Sequence, residues 1–352
     1  MTETIRLATR GSDLALRQAQ QVAETLENRR QEVELVEVET VGDAVRDELI
    51  HRLGKTGAFV RSLDEKVLDG EADAAVHSMK DMPTEFPSDL VVAGVPERAS
   101  AKDVLVTPDG TKLEALPEGA TVGTSSLRRK AQLLATRPDL DVQPLRGNVD
   151  TRVQKLLAPE MQREHESRLE AAEDSDDETY QRTPEEWFDS LSELERQALG
   201  TDVETDYDGI VLAEAGLDRI GLLDAVESNR LSRSFVSAPG QGALAITARD
   251  GETAETLHNI LDHPRTRIET TVERTVLGTL GGGCVAPIGI YAILQGEYIL
   301  TRVRVLSQDG TEEIEATREI PVESHPEAAE KFAEDLAAKG ATELIERARR
   351  EE

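Results

Sequence analysis

Val122-Gly123-Thr124-Ser125-Ser126-Leu127-Arg128-Arg129 carries the signal on which the fold turns. The run leaves an apolar strand at 121–123, passes small hydroxyl residues and enters a helix expected at 125–136. Two arginines fall in the first helical turn. A helix N-terminus is partly positive, so cations are disfavoured there. Their placement makes sense if an anion sits in front of the helix, held by backbone amides, hydroxyls and guanidinium forks. A plain surface arginine pair explains it less well. Leu145-Arg146-Gly147-Asn148-Val149-Asp150-Thr151-Arg152 repeats the layout: strand, tight turn, helix start, two arginines. Arg10 follows the first strand, just before Ser12, which stands where an N-cap would. These junctions point to a ligand with several carboxylates or phosphates. No GxxxxGK[ST] loop occurs, so nucleotide binding has no support.

Working outward, strands and helices alternate on both sides of that run. Strands are expected at 5–8, 33–38, 74–76 and 90–95, with helices at 14–28 and 58–68. The rhythm resumes with strands at 104–106, 142–145 and 207–213 and helices at 149–157 and 214–223. This favours an α/β fold with mostly parallel sheets. From Pro264 the pattern changes to a helix at 268–280, strands at 288–294, 298–306 and 313–320, and one long amphipathic helix at 326–349, an α+β unit. The domains expected are 1–98 with 237–258, then 99–236, then 259–352. Residues 158–206, rich in Glu, Asp, Gln and Ser, read as an acidic surface insertion of the second domain, part helical and part mobile.

The chain has 352 residues, too many for one small core. It contains no run approaching the roughly 20 apolar residues that cross a bilayer. It opens directly on a strand-like pattern with no signal layout, so a cytoplasmic location is expected. The formal net charge is −30, which would repel nucleic acid and anionic membranes; neither is expected as a partner. Lysine is scarce, arginine plentiful, and acidic residues are spread throughout. Such a surface stays soluble where salt screens charge within about 3 Å, as at 1 M. The reading is a salt-rich cytoplasm, the alternative an ordinary acidic protein. The single cysteine, Cys284, rules out an internal disulfide.

Two further runs carry chemistry. Gly281-Gly282-Gly283-Cys284 puts the thiol on a glycine loop where it can be alkylated; a buried structural cysteine is an equal reading on these residues alone. His77-Ser78-Met79-Lys80-Asp81-Met82-Pro83 follows a buried strand, at the kind of strand end where open sheets bind ligands. By itself it reads as a solvated turn. His and Cys spacing signals no metal.

Taken together, ATRGSDLAL at 8–16, HSMKDMP at 77–83, VGTSSLRR at 122–129, LRGNVDTR at 145–152, AGLDRIG at 215–221, PGQGAL at 239–244 and GGGCVAPIG at 281–289 resemble, in order, the motifs of the hydroxymethylbilane synthase (porphobilinogen deaminase) family. The resemblance implies two lobes like those of periplasmic-type ligand-binding proteins and a smaller α+β domain carrying the cysteine. It implies a transferase that deaminates porphobilinogen and joins it head to tail into hydroxymethylbilane. The primer is a dipyrromethane cofactor bound covalently, here through a thioether to Cys284. Matched positions assign Asp81 to catalysis and Arg10, Ser12, Lys80, Thr124, Ser126, Arg128, Arg129, Arg146, Arg152 and Arg219 to the acetates and propionates of substrate and primer. Lys55, in Leu53-Gly54-Lys55-Thr56-Gly57-Ala58-Phe59, stands one position off the lysine of the family's GGKGxF loop, with Arg52 the alternative contact. A monomer is the family expectation. The rival readings are a two-lobed anion receptor without chemistry and a scaffold using the insertion.

Overall fold

The computed structural model describes residues 4–38, 58–84, 87–173, 180–282 and 286–350. Strand β1 (Ile5–Arg10) buries Ile5, Leu7 and Ala8 and runs through Ser12 into α1 (Asp13–Glu27). The Ser12 hydroxyl accepts from the Ala15 amide at 3.4 Å, satisfying one of the helix's orphan donors. Helix α1 turns Ala19, Val22, Ala23 and Leu26 onto the sheet, the spacing of one helical face. Then come β2 (Val33–Val38), α2 (Ala58–Leu68), β3 (Ala74–Ser78), a tight 3-10 turn at Met79–Asp81, and β4 (Leu90–Gly94).

The chain then crosses to a second lobe. There it forms β5 (Asp103–Val106), β6 (Thr121–Gly123), α3 (Leu127–Thr136), β7 (Asp141–Gln143) and α4 (Val149–Glu173). Helices α5 (Pro184–Ser190) and α6 (Glu193–Leu199) precede β8 (Gly209–Ala213), α7 (Glu214–Arg219) and β9 (Ser228–Arg230). The chain returns to the first lobe as β10 (Leu244–Arg249) and α8 (Glu252–Leu261).

The two sheets have the same plan. Their orders are β2-β1-β3-β10-β4 and β7-β6-β8-β5-β9. In each, the strand that follows a crossing enters fourth and runs against its neighbours, while the other four point one way. These are the mostly parallel lobes expected. The ends of β1, β3, β6 and β8 therefore face one interlobe cleft. The crossing segments bond to each other, the Ala99 amide donating to the Gly242 carbonyl at 3.1 Å.

The last unit packs α9 (Pro264–Thr279) against the antiparallel sheet β11 (Ile288–Gln295), β12 (Tyr298–Leu306) and β13 (Glu313–Pro321), with α10 (His325–Ala337) and α11 (Ala341–Arg350). Val272, Val276, Ile290, Val303 and Phe332 lie in its core. Its long terminal helix, expected unbroken, is divided at Gly340, whose φ of +97° no helix continues. Glu273 of α9 ties this unit to both crossings. Its carboxylate accepts from both terminal nitrogens of Arg98 at 2.8 and 3.1 Å, from the Gly240 amide at 2.7 Å and from the Ala292 amide at 2.8 Å.

The helical part of the acidic insertion is present. Helix α4 runs straight through Pro159, and α5 opens on a capping box between Thr183 and Glu186. Trp187 is buried against the His165 ring at 5.7 Å, with the Arg168 guanidinium 5.1 Å from its centroid. Residues 174–179 of the insertion lie outside the described residues.

Candidate active site

The interlobe cleft is built at strand ends. Arg10 terminates β1, and Ser12 caps the next helix. Lys80 and Asp81 sit on the 3-10 turn that follows β3, with Asp81 exposed. From the second lobe, Arg129 comes from the first turn of α3, Arg152 from the first turn of α4 and Arg219 from the end of α7. All seven side chains line one cleft, which encloses about 960 Å³ of non-protein space with its open mouth included. Leu14, Leu63, Val76, Val149 and Leu212 give it apolar walls.

Among the described residues, the Arg152 and Arg219 guanidiniums form no ion pair with a carboxylate. Burial, with Arg129 close by, lowers the Arg152 guanidinium to about 10. Its Nε donates to the Gly147 carbonyl at 2.8 Å. Arg219 is lowered by burial despite Asp218; its Nη2 donates to the Gly242 carbonyl at 2.8 Å, and its Nε is buried with no hydrogen-bond partner. Asp81 pulls the Lys80 ammonium up, but burial, Arg129 and Arg152 together leave it below its usual range. Guanidiniums held as Arg152 and Arg219 are favour an anionic ligand, which would supply a counter-charge. The donor set fits a group whose rings each carry two carboxylates.

Other expected contacts lie elsewhere. Arg128 does not line the cleft. It is buried, donating from Nη1 to Asp103 Oδ2 at 2.7 Å and to the Val236 carbonyl at 2.8 Å, and from Nη2 to Gln241 Oε1 at 3.3 Å. A guanidinium so committed holds the crossing segment in place and is turned from the ligand space. Thr124 and Ser126 serve the helix start: Ser126 Oγ accepts from the Arg129 amide at 3.4 Å, and Thr124 Oγ1 from the Ser126 amide at 3.2 Å. Arg146 is half-buried beside the positive-φ turn at Gly147 and also does not line the cleft. Lys55, Arg52 and Cys284 lie outside the described residues. The sequence reading missed Gln18, His77 and Gln241, which line the cleft. The last two sit inside quoted motifs, so a role was readable there; Gln18 is marked only by its place on the cleft end of α1. The His77 ring is buried, its Nε2 2.9 Å from Asp64 Oδ1 and 3.0 Å from Thr247 Oγ1. No cluster of three or more His, Cys, Asp or Glu suited to a metal occurs among the described residues.

Residues 5–164 and 193–256 match the family described as porphobilinogen deaminase, dipyromethane cofactor binding domain, and 267–343 match its C-terminal domain. A probable porphobilinogen deaminase of Halobacterium salinarum is 52% identical over 393 residues, covering 99% of each chain. One from Methanococcoides burtonii is 39% identical over 97% of this chain and 96% of its own. The porphobilinogen deaminase of Campylobacter hominis is 35% identical over 98% of both. Among solved structures, lipoprotein Tp32 of Treponema pallidum is distantly similar, at TM-score 0.37 and 13% identity over 76% of this chain and 94% of its own. Matched from residue 5 to residue 343 with only 165–192 and 257–266 passed over, the chain belongs to the porphobilinogen deaminase family.

Proposed function

We propose that the chain deaminates porphobilinogen and polymerises it into hydroxymethylbilane, for tetrapyrrole biosynthesis, on a dipyrromethane tethered to Cys284. The observation that carries this is the cleft itself. Five cations, Arg10, Lys80, Arg129, Arg152 and Arg219, meet beside one exposed carboxylate in a protein of net charge −30. A substrate with an acetate and a propionate on each ring needs that inversion of charge. The dipyrromethane, when bound, supplies the free ring carbon to which the first substrate unit is joined.

The chain's own residues do the rest. The guanidiniums and Lys80 bind carboxylates and set the ring's orientation. Asp81 faces the pyrrole N–H groups. As ammonia leaves porphobilinogen, its ring becomes an azafulvenium cation, which a carboxylate favours. At roughly 4 Å and an effective dielectric of about 20 this attraction is about 4 kcal/mol. That is about a thousandfold in rate. Asp81 would be the base at hand for the proton that the acceptor ring carbon gives up as the cation's methylene is joined to it. The apolar walls limit water that would end the chain early. By its motif position Lys55 is assigned to the same carboxylates, and Arg146 supports the turn that aims Arg152.

The protein acts as a cytoplasmic monomer, divided at 1–98 with 237–258, 99–236 and 259–352. No described helix is long and apolar enough to cross a membrane. Intact mass together with porphobilinogen consumption tests the reading. The purified protein should exceed its sequence mass by two linked pyrroles, while Cys284→Ser should weigh its sequence mass and turn nothing over. An unmodified preparation consuming porphobilinogen at full rate overturns the tether. Tight binding without consumption favours an anion receptor.

A further inference from the structure

Arg129 is not aimed at the cleft by its own helix alone. Its Nε and Nη2 bond Asp103 Oδ1 at 3.0 and 2.9 Å, and its Nη1 donates to the Val211 carbonyl at 3.0 Å. The other oxygen of the same carboxylate accepts from Arg128 at 2.7 Å, and Gln241 Nε2 donates to Oδ1 at 3.0 Å. The Asp103 side chain is 1% exposed. Adjacent guanidiniums repel each other, and in a buried site water cannot screen them. One carboxylate between them lets both stay charged. It also separates their directions: Arg128 turns to the crossing segment at Val236, whereas Arg129 lines the cleft. One edge of Arg129 is thereby spent on the protein, and the remaining N–H groups of Nη1 and Nη2 are available to a ligand carboxylate.

We propose that Asp103 is a positioning residue for the condensation: it holds Arg129 in the orientation that grips a carboxylate of the pyrrole chain. This rests on the reading of Arg129 as a carboxylate ligand. Asp103 also touches Gln241, whose Nε2 donates to the Ala101 carbonyl at 2.7 Å, so the grip of Arg129 is tied to both crossing segments. Burial alone would push the Asp103 carboxyl up, but Arg128 and Arg129 hold it well below the carboxylate range, so it stays ionised at any working pH.

The test uses the primer-loaded enzyme with Asp103→Asn, Arg129→Lys and the double substitution. An amide in place of Asp103 turns one acceptor into a donor facing guanidiniums, and Arg129 must rotate. D103N is expected to raise KM for porphobilinogen about tenfold with kcat within about threefold, since binding common to ground and transition states is lost. R129K is expected to raise KM by a similar factor, and the double variant no further than either alone. If R129K raises KM while D103N lowers only the folded, active fraction and leaves KM unchanged, the positioning role is overturned. If R129K itself leaves KM unchanged, the ligand reading of Arg129 fails instead. Should D103N not fold, Asp103→Glu, which keeps the charge but displaces it, carries the same KM expectation and the same refutation.

Discussion

The neighbours Arg128 and Arg129 share a residue type and a motif, yet only Arg129 lines the cleft. Sequence could place both at a helix N-terminus, because small hydroxyl residues before the helix are a local signal. It could not separate them, because the separation comes from Asp103, which is distant in sequence and looks like any polar residue opening an apolar strand. Asp81 was legible through its motif. Asp81→Asn should fold normally and lose roughly a thousandfold in turnover, following the charge argument; circular dichroism and porphobilinogen consumption check it, and near-normal turnover removes Asp81 from the mechanism. Arg152 gives a prediction of opposite sign for stability and function. Its guanidinium is lowered from the ordinary arginine range to about 10, so the folded chain disfavours its charge. That cost is present below pH 10 and fades as pH rises from 10 toward the unfolded value. In the unloaded Cys284→Ser protein at neutral pH, Arg152→Gln should therefore stabilise, by about 1 kcal/mol after allowing for solvent screening. In the loaded enzyme the same change should raise KM. A lower unfolding midpoint with unchanged KM would sink the account of an uncompensated cation.

At the level of elements, periodicity sufficed where one face is buried and failed where a single backbone conformation decides. Strand β2 and helix α2 stand at the bounds read from the sequence, because their apolar spacing is unambiguous. The terminal helix was read as one because its amphipathic stripe continues past the break; only the positive φ of Gly340 reveals two helices. The short β9, Ser228–Arg230, has no apolar alternation and was invisible. Where the crossing segments meet, Gly242 has φ +85°, and an added Cβ would lie 2.6 Å from the carbonyl oxygens of Ala99 and Ser100. Gly242→Ala should cost about 3 kcal/mol, since backbone, not a flexible side chain, must give way. Denaturant melts would show it, and an unshifted midpoint would mean that the crossing is loose. The insertion behaves differently. Its Trp187, His165, Arg168 and Tyr180 stack on one another, and the family match omits 165–192. Replacing 165–192 by a short Gly-Ser linker should leave kcat/KM within about threefold, or roughly 0.6 kcal/mol, as surface loop changes generally do. Loss of turnover with the fold retained would favour a functional arm. The wider range read from composition, 158–206, includes Ala158 and Ala198, which are fully buried, and cutting there would open the second lobe.

Over the whole molecule, 70 acidic residues face 40 basic ones, and salt acts on this excess in two opposing ways. It weakens surface pairs such as Arg163–Asp206, whose side chains are 67% and 71% exposed. Pairs of that kind contribute about 0–1 kcal/mol each, so little is lost. It also screens the repulsion among the carboxylates, which outnumber the cations by 30. Raising salt from 0.1 M to 1 M shortens the screening length from about 10 Å to about 3 Å, less than the spacing of most surface charges. Relief of repulsion should win. The first unfolding midpoint is expected to rise by several degrees between 0.1 and 1 M KCl, at about 2–4 °C for each kcal/mol in a domain of this size. The interior pairs are sheltered from that titration. Asp103 with Arg128 and Arg98 with Glu273 have side chains at most 7% exposed, so ions do not reach between them. The cleft's partly buried cations share that shelter in part, and on the proposed reading they would meet ligand carboxylates at hydrogen-bond range, inside any screening length. The same KCl series should therefore leave the primer attached and shift KM less than it would for a ligand held on the outer surface. A midpoint that stays flat or falls with KCl would show that paired charges, not the acidic excess, govern the stability of this protein.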